Sequence, residues 1–108
     1  MKAHFRKQVQ ETFEKIERAL ESIDPDQIEC EQSQGSLILT LSNHSKCILS
    51  LQPSVEQLWL ALASRGIAYH FDLDPSSGLW IDDKGEGVEL LHFLERSLKE
   101  ITGIEITI

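Results

Sequence analysis

Glu14, Glu17, Glu21 and Asp24 recur at spacings of three and four, and Asp26, Glu29 and Glu31 follow directly. On a helix that spacing sets side chains in one row, so the first four carboxylates would stand along a stripe. Between Glu11 and Glu31 the chain carries eight acids against two bases, Lys15 and Arg18, a local balance of −6 out of −8 for all 108 residues. Oxygen-only ligands without His or Cys suit hard cations, and a row of monodentate carboxylates makes weak, open, unselective sites. The same field repels nucleic acid and anionic membrane and attracts cations or a basic protein patch. The alternative reading is a solvated polar face, the ordinary meaning of a charge run. An ordinary helix surface mixes signs, whereas this one does so only through Lys15 and Arg18. Glu21 and Asp24 also fall in what reads as the last helical turn, where a carboxylate costs roughly 0.3–1 kcal/mol against the macrodipole. Neutralising both is therefore expected to stabilise the domain.

Other chemistry has little to stand on. The four histidines, His4, His44, His70 and His92, are scattered, and no HExxH, GxSxG or phosphate-cradling Gly-rich loop occurs. His70 and Asp72 share a strand face, which reads as a dyad or as plain surface. Cys30 and Cys47 lack CxxC spacing and partner His residues, so both read as buried thiols in a reducing compartment. Catalysis by side chains is not expected. Alternation puts Leu58, Leu60 and Leu62 on one face of a strand and Gln57, Trp59 and Ala61 on the other, sending the indole away from the aliphatic row. It reads either as an exposed anchor or as a Trp half-buried under a neighbouring strand.

The elements that must position these residues follow from periodicity. Val9, Phe13, Ile16, Leu20 and Ile23 form an apolar stripe on a helix from His4 to about Asp24, ended by Pro25. Ile28 to Glu31 reads as a first, edge strand with Glu29 and Glu31 facing away from the core. Strands are then expected at Ser36–Leu41, Lys46–Leu51, Glu56–Leu62, Ile67–Leu73 and Leu79–Asp82, separated by turn residues. A closing helix runs from about Gly87 to Ile101 with Gly103 as its C′ residue, and Ile104 to Ile108 alternates as an extended tail. The fold class is α+β. It is a two-layer α/β sandwich, one antiparallel sheet covered on one face by the N- and C-terminal helices, in a single domain over residues 1–108. No apolar run spans a membrane and no secretory signal opens the chain, so a soluble, cytoplasmic protein is expected.

The ordered set Gln52-Pro53, Gln57-Leu58-Trp59-Leu60-Ala61, Gly66, Tyr69-His70-Phe71-Asp72 and Trp80, with the acidic first helix and Ile28-Glu29-Cys30-Glu31, resembles the frataxin family, bacterial type, over nearly the whole chain. The resemblance implies an acidic ridge that binds ferrous and ferric iron weakly and docks on the basic surface of a cysteine desulfurase. Glu14, Glu17, Glu21, Asp24, Asp26, Glu29 and Glu31 match that ridge. Gln52, Gln57 and Trp59 match the family's exposed partner-binding patch, while Tyr69 to Asp72 and Trp80 match positions that define the fold. Two departures stand out: Ser50-Leu51-Gln52-Pro53 lacks the Asn usual before the Trp strand, and Ser22 stands where a relative has an acid. The implied function is iron binding and regulation of iron–sulfur cluster assembly, with the desulfurase and the scaffold protein as partners and no organic cofactor. The alternatives are a ferroxidase that stores iron in oligomers and a metal-independent acidic interaction module. A monomer is expected, with an iron-driven oligomer as the alternative.

Overall fold

The computed structural model describes residues 3–108. Helix α1 (Ala3–Leu20) is followed by six strands, β1 (Ile28–Ser33), β2 (Ser36–Leu41), β3 (Lys46–Gln52), β4 (Gln57–Leu62), β5 (Ile67–Leu73) and β6 (Trp80–Asp82), and helix α2 (Leu90–Thr102) closes the chain. The sheet is antiparallel throughout, in the order β1-β2-β3-β4-β5-β6, so β1 and β6 are its edges. Sequential neighbours pair because every connection is short.

Strand alternation sorts the sheet into two faces. Leu37, Leu39, Leu41, Cys47, Leu49, Leu58, Leu60, Leu62 and Phe71 form one, fully buried against Phe5, Val9, Phe13, Ile16 and Leu20 of α1 and Leu90, Leu94 and Leu98 of α2. Both helices thus cover one face. Trp80 locks that layer at the β6 edge: its ring meets Phe5 edge-on at 5.8 Å, and its Nε1 donates to Thr12 Oγ1 at 2.9 Å. Among the described residues no helix covers the other face.

Several boundaries differ from the sequence reading. Helix α1 stops at Leu20, not Asp24, because the backbone tightens into three-residue turns, Glu21 N to Arg18 O and Ile23 N to Leu20 O. Asp24 precedes a proline, which disfavours helix, and its carboxylate accepts from the Asp26 N–H at 2.9 Å, a local turn that competes with a further helical turn. The last turn of α1 holds Glu17 and Arg18, and Glu21 and Asp24 lie past it, so neither opposes the dipole from within the helix as expected. Helix α2 begins at Leu90, not Gly87, where the Glu89 carboxylate accepts from the Leu91 and His92 N–H groups and caps it. Gly103 does end it, at φ 77°, its N–H bonded to Lys99 O. Strand β4 starts at Gln57 because Glu56 adopts φ 50°, and β6 starts at Trp80 rather than Leu79. The tail after Gly103 joins no strand; Ile106 is buried, and the Ile108 N–H bonds Glu95 Oε2 at 2.8 Å.

Candidate functional site

The acidic residues gather where α1 ends beside the edge strand β1, but they do not form one row. Glu17, in the last turn of α1, and Glu21, just past it, line a cleft of about 300 Å³ with Glu29 on its β1 rim, floored by Leu20, Ile23, Ile28 and Cys30. Glu14 lies one turn back, over a separate shallow groove with Arg6, Lys7, Gln10 and Glu11, and accepts from Gln10 Nε2 at 3.3 Å. Asp24 and Asp26 sit in the turn between helix and strand, where Asp24 is occupied in capping. Glu29 and Glu31 project from β1 on the face away from the helices, opposite Thr40 and Ile38. The carboxylates therefore straddle an open sheet edge, Glu17 half-buried and the others exposed.

Among the described residues no group of three or more His, Cys, Asp or Glu is drawn close enough to enclose a metal ion. What the edge offers is oxygen donors spread over a cleft and its rims, a donor set that fits weakly held hard cations as cargo. Cys30 opens onto this cleft, but burial, reinforced by the nearby Glu17 charge, pushes its thiol up to about 11. Cys47 is buried deeper and is pushed up to about 12. Neither thiol is ionised by itself near neutral pH.

The second constellation lies on the bare sheet face. Trp59 is half-buried, as are Gln52 and Gln57. Its Nε1 donates to Gln57 Oε1 at 2.9 Å, and Gln57 Nε2 in turn donates to Asp72 Oδ1 at 3.0 Å and Asp83 Oδ2 at 3.1 Å. The indole stacks on His70, its cross-strand neighbour, with centroids 4.1 Å apart and planes 13° from parallel. His70 Nδ1 lies 3.6 Å from Asp83 Oδ2, so the imidazole pairs with Asp83 and not with Asp72. Gln52 stands apart, its Nε2 on Ser50 Oγ at 3.3 Å, and Ser50 occupies the position opposite Trp59 on β3.

The segment from Tyr69 to Asp72 splits accordingly. Phe71 is core and Tyr69 packs on Phe93 of α2, whereas His70 and Asp72 belong to the Trp59 face. Pairing Trp59 with His70 was within reach of the sequence, by counting outward from the turn that ends at Gly66. Asp83 was not, because it lies in what reads as a turn. Its place is set by its own N–H, which bonds His70 O at 2.9 Å, and by the turn beyond it. There the buried Asp82 carboxylate accepts from the Lys84, Glu86 and Val88 N–H groups. Burial alone would raise the Asp82 pKa, yet these donors hold it below the ordinary aspartate value.

Residues 1–104 match the family model described as a frataxin-like domain. The iron-sulfur cluster assembly protein CyaY of Tolumonas auensis is 35% identical over 106 residues, 98% of this chain and 96% of that protein. Its namesake in Pseudomonas fluorescens strain Pf0-1 is 41% identical over 103 residues, 95% and 90% of the two chains. The solved frataxin of Psychromonas ingrahamii superposes with a TM-score of 0.85 at 28% identity, covering 96% of this chain and 93% of that one. The trimeric yeast frataxin from Saccharomyces cerevisiae, solved with ferrous iron, shares the fold at a TM-score of 0.72 and 23% identity, over 96% and 89%. With a matching family model over nearly all its residues, these relatives and the same helix-covered six-stranded sheet, the chain belongs to the frataxin family, bacterial CyaY type.

Proposed function

We propose that this protein is a non-catalytic iron-binding regulator of iron–sulfur cluster assembly, acting as iron donor or as modulator of the desulfurase–scaffold complex. The observation that carries the reading is the separation of two surfaces: the cleft of Glu17, Glu21 and Glu29 at the β1 edge, and the Trp59 patch on the sheet face. The first recruits iron and steers a basic partner surface, the kind of patch expected on a cysteine desulfurase. The second presents an aromatic anchor to the desulfurase or scaffold. The bacterial relatives' name, iron-sulfur cluster assembly protein, agrees with this reading.

Titration of the protein with Fe(II), and separately with the purified desulfurase, followed by amide NMR shifts, tests it. Iron should perturb residues around the β1 edge, and the desulfurase should perturb that edge and the strand carrying Trp59. Iron effects centred on His70 or His92 would overturn the metal assignment. A partner response indifferent to the ridge carboxylates would overturn the docking assignment.

A further inference from the structure

Four side chains on the bare face close into a ring. Trp59 Nε1 donates to Gln57 Oε1, Gln57 Nε2 donates to Asp83 Oδ2, that oxygen lies 3.6 Å from His70 Nδ1, and His70 returns to Trp59 by stacking at 4.1 Å. Three of the four are tied together by backbone: Trp59 and His70 are register partners, and the Asp83 N–H bonds His70 O. Histidine is the side chain whose ordinary charge change falls near neutrality, and the ring holds one histidine, His70.

We propose that the Trp59 face is gated by the proton on His70. The imidazolium has two partners in place, the Asp83 carboxylate at its Nδ1 and the indole face beneath it, and a cation over indole is the strongest aromatic pairing of its kind. Neutral imidazole keeps the stack but loses both charge interactions. Protonation therefore holds the indole more tightly on the sheet, and deprotonation loosens it, leaving the stack and the Gln57 bond.

The charged groups around His70 leave it no competing role. Asp83 faces it from the end of β6 and Asp72 shares its face of β5, while β4 brings Gln57, Trp59 and Ala61 to that face and β6 brings Ile81, none of them charged. Lys84, next in sequence, lies with Tyr69 on the helix-covered side, 5.9 Å from that ring. Among the described residues the Lys and Arg ion pairs, Lys7–Glu11, Arg65–Glu100 and Lys99–Glu105, lie elsewhere.

The functional consequence rests on the docking role of Trp59 proposed above. An anchor already held in one rotamer loses less entropy on binding, so a partner that lands on the seated indole binds about threefold tighter at pH 6 than at pH 8.

The gate itself is read on the protein alone, by following the Trp59 indole N–H resonance from pH 5.5 to 8. It should shift and sharpen as pH falls, while that of Trp80, held in the core by Thr12, stays put as an internal reference. In His70→Gln the Trp59 shift should vanish, and in Asp83→Asn its amplitude should shrink. A Trp59 resonance that does not respond to pH, or responds equally in His70→Gln, overturns the gate. A gate that operates while the partner's affinity ignores Trp59→Ala removes the docking role and leaves the gate standing.

Discussion

Trp59 and His70 lie ring on ring across the β4–β5 ladder, 4.1 Å between centroids, on the sheet face opposite α1 and α2. Trp80, the other indole, is sealed between α1 and the β6 edge. The two tryptophans should therefore respond to truncation in opposite ways. Trp80→Ala opens a core cavity and strips Thr12 of its donor, costing about 3–5 kcal/mol, enough to lower the thermal midpoint by well over 10 °C. Trp59→Ala should cost only about 1 kcal/mol of stability, the size of a stacked pair, and weaken partner binding by more than about 1 kcal/mol. Chemical denaturation and a binding isotherm of each variant check both halves.

The turn after α1 gives a test in which the structure reverses the sequence expectation. Asp24 caps its own turn, so Asp24→Ala should destabilise the domain by about 0.5–1.5 kcal/mol, the usual worth of such a hydrogen bond. Asp24→Asn, which keeps the acceptor, should be near neutral. Glu21→Gln, outside the helix, should gain at most a few tenths of a kcal/mol. A clear stabilisation by Asp24→Ala in thermal melts would restore the dipole argument that the early end of α1 removes.

The layers were legible in the sequence because apolar periodicity is a direct record of burial: Val9 to Leu20 at helical spacing, and Leu58, Leu60 and Leu62 in alternation. The helix end was not, since three-four spacing continues through Glu21 and Asp24 although the backbone does not. What decides there is a side chain bonding to a local N–H, an interaction that leaves no periodic trace. The acids were found by composition, but their division between a cleft and its rims depends on where α1 stops and which way β1 turns its side chains. Gln57 and Trp59 were found by alternation and resemblance. Asp83 was missed because its role comes from tertiary register, while the sequence around it, Asp82-Asp83-Lys84-Gly85, reads only as a turn.

Asp82 supplies a pH prediction. Its folded pKa lies below the ordinary aspartate value of about 3.9, so its contribution is present above that value and is lost as pH falls through the lower folded one. Asp82→Asn should lower the thermal midpoint at pH 7, and the gap to the parent should narrow as pH drops below about 3.9. An equal gap at pH 3 and pH 7 would mean that the charge does not hold the Lys84–Val88 turn.

Thiol reactivity should report the acidic cleft. With its thiol near 11, Cys30 holds roughly one part in a thousand of thiolate at pH 8, and Cys47 holds less. An aromatic disulfide reagent should label Cys30 slowly and Cys47 more slowly still, with both becoming fast in denaturant. Glu17→Gln removes the charge that reinforces the Cys30 shift and should speed its labelling, leaving Cys47 unchanged.

The central claim is that the cleft at the β1 edge and the Trp59 face together act on cluster assembly. Its most direct measurement is the rate of iron–sulfur cluster formation by desulfurase, scaffold, cysteine and Fe(II), as a function of added protein. The parent should change that rate, and Glu17→Gln/Glu21→Gln/Glu29→Gln and Trp59→Ala, each folded, should both need at least about tenfold more protein for the same effect. Variants that act at the parent's concentration would contradict the account.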